Sequence, residues 1–219
     1  MNNDIVNFST KTVPLAISEA DHRITNNLAI ISSLIRLKAK HPNVDDVRQF
    51  LIDVACRVDT VARLHRLLAY AQGGSVPMAQ FLRSVGEAMR DIGGGNGRLH
   101  MTIECPEALT LPPDRALRIG LLTAELFSNS VKYAPPTGIP SCIQVGCRQD
   151  HDVLVFSFED DGIGFPENFD PHRNDSLGMQ ILHSLSADMH GACEWHDTGI
   201  GLRFTCRFPL VRTPDPVAS

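Results

Sequence analysis

Apolar residues along the first third of the chain recur in steps of three and four. They run Ile17, Ala20, Ile24, Leu28, Ile31, Ile35, and then Val47, Leu51, Val54, Val58, Val61, His65, Leu68. That spacing puts each set on one stripe of an α-helix, long enough to serve as a coiled-coil seam. His41-Pro42-Asn43 followed by Asp45-Asp46 separates the two stripes with a turn and an acidic helix start. The pattern predicts a helical hairpin. Alone, a hairpin leaves one flank of each stripe open to water, and pairing with a second copy into a four-helix bundle covers it, so we expect a homodimer.

Beyond Gly73-Gly74 the pattern changes. Met78 to Ile92 reads as a helix, Leu99 to Cys105 as a strand, and Pro112 to Ala134 as a long helix with prolines at its start. Cys142 to Arg148 and Val153 to Glu159 read as strands and Leu177 to Met189 as a helix. Ala192 to Trp195 and Leu202 to Phe208 close a sheet. Because the strands gather toward the C-terminus and do not alternate strictly with helices, the expected class is α+β rather than a doubly wound parallel sheet. The expected organisation is a short N-terminal segment, 1–14, a dimerisation hairpin, 15–72, a hinge at 73–75, a second domain, 76–210, and a loose tail, 211–219.

Composition narrows the class without naming a chemistry. The chain has 219 residues, 43% hydrophobic and 21% charged, with a formal net charge of −5, which excludes wholesale disorder and gives no basic face for nucleic acid or an anionic membrane. Met1-Asn2-Asn3-Asp4 is not a signal peptide, and Leu28 to Leu37 is too short and polar to span a bilayer, so the expected setting is cytoplasmic, with no membrane contact. The 6 cysteines form no CxxC pair, and we expect reduced, mostly buried thiols.

There is no GxxxxGK[ST], no GxGxxG after a strand, no HExxH and no GxSxG, which removes several large enzyme classes. Three polar clusters remain. Glu125, Asn129 and Lys132 share one face of the long helix, an acid, an amide and an ammonium suited to a hydrated divalent cation and the phosphates it meets. The same trio also describes an ordinary solvated helix face. Asp160-Asp161-Gly162-Ile163-Gly164 follows an apolar strand, placing a carboxylate where backbone can approach a flat ligand; a plain Asp-Gly turn fits it too. Asn174-Asp175-Ser176-Leu177-Gly178 opens a helix whose N-terminal N–H groups suit a phosphate or simply an N-cap.

Taken in order, Glu125/Asn129/Lys132, Asp160-x-Gly-x-Gly, Leu177-Gly178 and the closing strand Gly201 to Pro209 resemble the N box, G1 box, G2 box and last strand of the ATP-binding fold shared by gyrase, Hsp90, MutL and histidine kinases. In the hairpin, Asp21-His22-Arg23-Ile24-Thr25-Asn26-Asn27-Leu28 resembles the His-Arg-x-x-Asn-Asn-Leu phosphoacceptor box of sensor histidine kinases related to the HWE class. Periodicity supports this separately, since His22 lies about 200° from Ala20 and from Ile24 on the helical wheel and points away from the stripe.

The resemblance implies an α/β sandwich of the histidine kinase/gyrase/Hsp90 ATPase type following the hairpin, with ATP and Mg2+ as cofactors. It implies that Asp160 reads the adenine amine and that Gly162 and Gly164 admit the base. Asn129 and Glu125 would hold the metal, partly through water, while Lys132, Tyr133, Arg173 and the helix start at Gly178 serve the phosphates. His22 would be phosphorylated, with Asn26 and Asp21 beside it, and the phosphoryl group would pass to an aspartate of a response-regulator receiver domain. Asp21 stands where many related kinases have a second histidine, and Tyr133 where the HWE subgroup has one, so the broader class is assigned. With only about fourteen residues before the first helix, we expect input from a partner such as an upstream sensor or receiver protein, from phosphate flow or from expression level. Two alternatives stay open: an ATP-independent histidine phosphotransferase of a phosphorelay, and a serine kinase of the anti-sigma type.

Overall fold

The structure, a computed structural model, describes residues 44–69, 74–92, 99–132, 141–166, 169–171, 173 and 176–210. The first hairpin stripe with Asp21, His22 and Asn26, the residues 70–73, Tyr133, Asn174-Asp175 and the tail 211–219 lie outside them.

The second stripe forms helix α1 (Val44–Ala69). Val54, Leu64 and Leu68 are buried, while Val47, Leu51, Ile52 and Val58 are exposed. The chain divides into two compact units, Met1–Val58 and Asp59–Ser219, so the last turns of α1 belong to the larger one. There Leu64 lies against Gly120, 3.3 Å from where a Cβ would stand.

In the larger unit, strand β1 (Val76–Pro77) leads into helix α2 (Met78–Ile92), then strands β2 (Leu99–Glu104) and β3 (Thr110–Leu111). Helix α3 (Pro113–Lys132) is followed by β4 (Ser141–Asp150), β5 (Val153–Asp160), helix α4 (Leu177–Asp188), β6 (Ala192–Asp197) and β7 (Leu202–Pro209). A five-stranded sheet runs β2-β4-β5-β7-β6, with β2 and β4 parallel and every other pair antiparallel. The class is the expected α+β. The two-residue pair β1–β3 had no counterpart in the sequence reading, because two residues are too short to show alternation.

Period-two alternation explains why one sheet face carries the helices. Ile143, Val145 and Cys147 of β4, Leu154, Phe156 and Phe158 of β5, and Phe204, Cys206 and Phe208 of β7 are all buried. Between them Gln144, Arg148, Arg203 and Arg207 are exposed. Each buried Phe contributes about 1.5–3 kcal/mol of apolar burial, which fixes the register, since a one-residue slip would turn the whole set to water.

Helix α3 is the central element, buried almost without interruption from Ala116 to Phe127. Pro113 at its start, Asp114 in its first turn and Lys132 in its last suit the helix geometry and dipole. It packs on α2, on α4 and against β5. Gly120 is required there: a Cβ would stand 2.9 Å from the Phe81 ring of α2.

One expectation is corrected. Cys193 and Cys206 are directly paired across β6 and β7 and form a disulfide, where the sequence led us to expect only reduced thiols. Opposed positions on adjacent strands bring their Cα atoms to 4.0 Å, and that pairing depends on hairpin register, which Cys spacing does not reveal. No helix among the described residues is long and apolar enough to cross a membrane.

Candidate nucleotide site

The expected polar clusters converge on the last turns of α3. Glu125 is buried on this helix although it is a carboxylic acid. Asn129, one turn on, is half-buried, and Lys132 ends the helix exposed. The start of α4 faces the first two: a Cβ on Gly178 would lie 3.4 Å from Asn129 Oδ1 and 3.5 Å from Glu125 Oε2. Glycine there lets the α4 backbone approach the acid and amide with no side chain between them. Ser176 takes the N-cap position of α4 but makes no side-chain cap hydrogen bond, and no acidic residue occupies the first turn. Nothing negative in that turn opposes an anion at the helix start.

Asp160 ends β5 in the interior of the sheet, paired with Ile143 on one side and Leu202 on the other. Its carboxylate is held at both oxygens. Oδ1 accepts the Gly162 N–H at 3.0 Å and the Leu202 N–H at 3.3 Å. Oδ2 accepts the Ser130 hydroxyl at 2.6 Å. Ser130 is the neighbour of Asn129, so this bond ties the strand-end carboxylate to the helix that carries Glu125 and Asn129.

The sequence reading did not single out Ser130. A hydroxyl near the end of an amphipathic helix has no periodicity of its own, and its usual local partner is present as well, the Leu126 carbonyl at 3.1 Å. In the sequence Gly201 marks only the start of the closing strand. A Cβ there would overlap the backbone carbonyl of Asp160, so the β6–β7 hairpin can close over Asp160 only with glycine. We expect Gly201→Ala to lower Tm by about 5–10 °C, because backbone rather than a flexible side chain must move, and a thermal melt followed by circular dichroism checks it.

The neighbouring Asp161 has a different task. Its Oδ1 accepts the Cys142 N–H at 2.9 Å and its own N–H reaches the Cys142 carbonyl at 3.3 Å, which extends the pairing at the start of β4. Gly162 contributes a donor to Asp160, and a Cβ there would press on Oδ1 at 3.0 Å. Gly164, with φ +70°, lies beside the Asp197 carboxylate. After it, Phe165 stacks on Phe169 with centroids 4.6 Å apart and meets Trp195 at 5.2 Å, and Trp195 packs on Phe204 at 4.7 Å. The loop leaving Asp160 is thereby anchored on β6 and β7. Arg173 is exposed and paired with Asp170 at 3.4 Å; no described contact brings it to Glu125, Asn129 or Asp160.

The geometry joins a strand-end acceptor, a two-glycine turn, an acid and amide on one helix face, and a glycine-led helix start. Residues 114–212 match the family described as histidine kinase-, DNA gyrase B-, and HSP90-like ATPase, and residues 19–92 match a histidine kinase family. The chain belongs to the histidine kinases, a dimerisation-type segment followed by their ATP-binding domain. It is similar to the sensor histidine kinase PdtaS of Mycobacterium tuberculosis, 27% identical over 183 residues, which is 83% of this chain and 36% of that protein. It is also similar to blue-light-activated histidine kinase 2 of Erythrobacter litoralis, 26% identical over 77% of this chain and 49% of the other. The fold is shared with the E. litoralis EL346 blue-light activated histidine kinase, with TM-score 0.74 and 24% identity over 94% of this chain and 63% of that one. The chain thus spans between about a third and a half of the length of these curated relatives.

Proposed function

We propose that the chain is an ATP-dependent protein-histidine kinase that phosphorylates itself on His22 and passes the phosphoryl group to an aspartate of a response-regulator receiver domain. The observation that carries the reading is the convergence on α3. Ser130 fastens Asp160 to the helix, and Gly178 places the α4 start against Asn129 and Glu125.

In this reading Asp160 keeps an acceptor ready for the adenine amine, because its three protein donors hold the carboxylate oriented. Gly162 and Gly164 leave the base side free of side chains. Glu125 and Asn129 offer a carboxylate and an amide oxygen, hard donors that fit a magnesium ion. Such an ion, when bound, supplies neutralising charge to the phosphates. Lys132, Tyr133 and the N–H groups at the start of α4 orient the phosphate chain, and Arg173 joins them by leaving its pair with Asp170. His22 attacks with a neutral ring nitrogen, Asn26 steadies the group transferred, and Asp21 orients the imidazole. The hairpin pairs with a second copy as a four-helix bundle, consistent with the exposed Val47, Leu51, Ile52 and Val58 on α1. Gly74, with φ +77° and open space around it, gives the segment 73–75 the backbone freedom of a hinge, and closure there would have to release Leu64 from Gly120.

Incubation with γ-phosphate-labelled ATP and magnesium tests the whole reading. The expected result is acid-labile label on the chain that moves to a purified receiver domain. No label from ATP, together with His22-dependent label from a phosphorylated receiver, would overturn it in favour of phosphotransfer alone.

Ser130→Ala gives a second, smaller effect. Losing a hydrogen bond to an ionised acceptor costs about 1.5 kcal/mol, hence about tenfold in ATP affinity. Trp195, the 1 tryptophan in the chain, packs on Phe165 of the glycine loop, so its fluorescence reports the titration. Ser130→Thr keeps the hydroxyl and should restore most of the loss.

A further inference from the structure

Four of the 6 cysteines, spread through the sequence, are aligned in the fold. Cys147 of β4 pairs with Phe156 of β5, Phe156 with Cys206 of β7, and Cys206 with Cys193 of β6. Cys105 directly follows Glu104, which pairs with Gly146, so it stands beside Cys147. One row across the sheet therefore reads Cys105, Cys147, Phe156, Cys206, Cys193, and it faces the helices: Cys147, Phe156 and Cys206 are at most 1% exposed. At the β6 edge the cysteine pair is closed as a disulfide. At the β2 edge it is open, with Cys105 partly exposed and Cys147 buried.

We propose that Cys105 and Cys147 are a reactive dithiol that a peroxide-class oxidant closes into a second cross-strand disulfide. Neighbouring strands lie about 4.8 Å apart, within the Cα separation a disulfide spans. The neighbouring Cys147 thiol holds Cys105 below its ordinary pKa, while Cys105 and burial push Cys147 up; the Cys105 thiol also meets the Pro106 carbonyl at 3.7 Å. Exposure and thiolate character make Cys105 the attacking sulfur and Cys147 the resolving one.

The chemistry balances in two steps. The Cys105 thiolate attacks a peroxide oxygen, the O–O bond breaks, hydroxide leaves, and Cys105 becomes a sulfenic acid. Cys147 then attacks the sulfenic sulfur; the S–S bond forms, the S–O bond breaks, and the hydroxyl leaves with the Cys147 proton as water. The two sulfurs give up two electrons to the peroxide, and a dithiol reductant returns them. The closed loop from Cys105 to Cys147 encloses all of α3, so Glu125, Asn129 and Ser130 would sit inside a covalent ring.

The test uses the full chain, reduced and then exposed to hydrogen peroxide, alkylated and mapped without reductant. The expected result is a Cys105–Cys147 linked peptide that dithiothreitol reverses, with a Tm rise of about 5 °C in the oxidised protein. Cys105→Ser should abolish the link and leave Cys147 alkylatable after unfolding, and Cys147→Ser should leave Cys105 as a sulfenic acid that dimedone traps. Cys105 and Cys147 both remaining alkylatable in the wild type while the exposed Cys142 oxidises would overturn the proposal, as would an unchanged Tm with no linked peptide.

Discussion

Asp160→Asn is expected to weaken ATP binding at least about a hundredfold while the chain still folds. The carboxylate meets three donors, Gly162 N–H, Leu202 N–H and the Ser130 hydroxyl. An asparagine has one acceptor oxygen in place of two, so its NH2 group must face either the two backbone donors or the serine. Turned toward the serine, it leaves Oδ1 serving Gly162 and Leu202, and the hydroxyl can fall back on the Leu126 carbonyl at 3.1 Å. That retreat limits the loss of stability to a few degrees of Tm. The adenine amine then meets a donor where it needs an acceptor, and an unmade hydrogen bond to a formerly charged partner together with a donor facing a donor costs about 3 kcal/mol. Trp195 fluorescence or calorimetry reads the affinity, and a melt verifies the fold. An affinity within threefold of wild type in a folded protein would remove Asp160 as the base reader.

The pattern of apolar positions carried the secondary structure further than the tertiary contacts. The helix expected over Met78 to Ile92 is α2 with the same ends, and the strands expected at Val153 to Glu159 and Leu202 to Phe208 each extend by one residue. Half-buried strands and amphipathic helices write their faces into the residue order, so those elements were readable. Strand order was not, because the parallel pairing of β2 with β4 depends on where α3 crosses, and no local signal encodes it.

The same division holds at the site. Glu125, Asn129, Asp160 and Gly178 could be picked out because residue type and spacing marked them, and the fold brings them together. Ser130, Gly201 and the division of labour between Asp160 and Asp161 could not. Each of those is set by a partner far along the chain: Asp160 for Ser130 and for Gly201, and Cys142 for Asp161. An Asp-Asp-Gly run looks like one acidic turn until the sheet assigns the first carboxylate to Ser130 of α3 and the second to the start of β4. The Cys193–Cys206 bridge went unread for a related reason, since its 13-residue separation acquires meaning only from the β6–β7 register.

His22→Gln is expected to remove acid-labile label from the chain entirely while ATP affinity stays within about twofold of wild type. Glutamine keeps comparable bulk and polarity but has no nucleophilic ring nitrogen, so the substitution removes the acceptor atom and little else. His22 lies in the segment 19–92 that matches a histidine kinase family, whereas Glu125, Asn129, Asp160 and Gly178 all fall in the ATPase match, 114–212. The proposed acceptor and the proposed nucleotide residues therefore belong to separate stretches of sequence, and the two variants should fail differently: Asp160→Asn loses binding and label, His22→Gln loses label alone. Phosphohistidine is a phosphoramidate whose P–N bond hydrolyses in acid, while a phosphoserine ester survives, so an acid wash of the labelled protein identifies the acceptor class. Acid-stable label persisting in His22→Gln would place the phosphoryl group on a hydroxyl and return the anti-sigma type of serine kinase as the better reading. Acid-labile label persisting in that variant would move the acceptor to another of the 9 histidines. Transfer to a receiver domain should vanish with the label, because phosphoryl transfer is chiefly positioning and glutamine offers no nitrogen that can carry the group to the receiver aspartate.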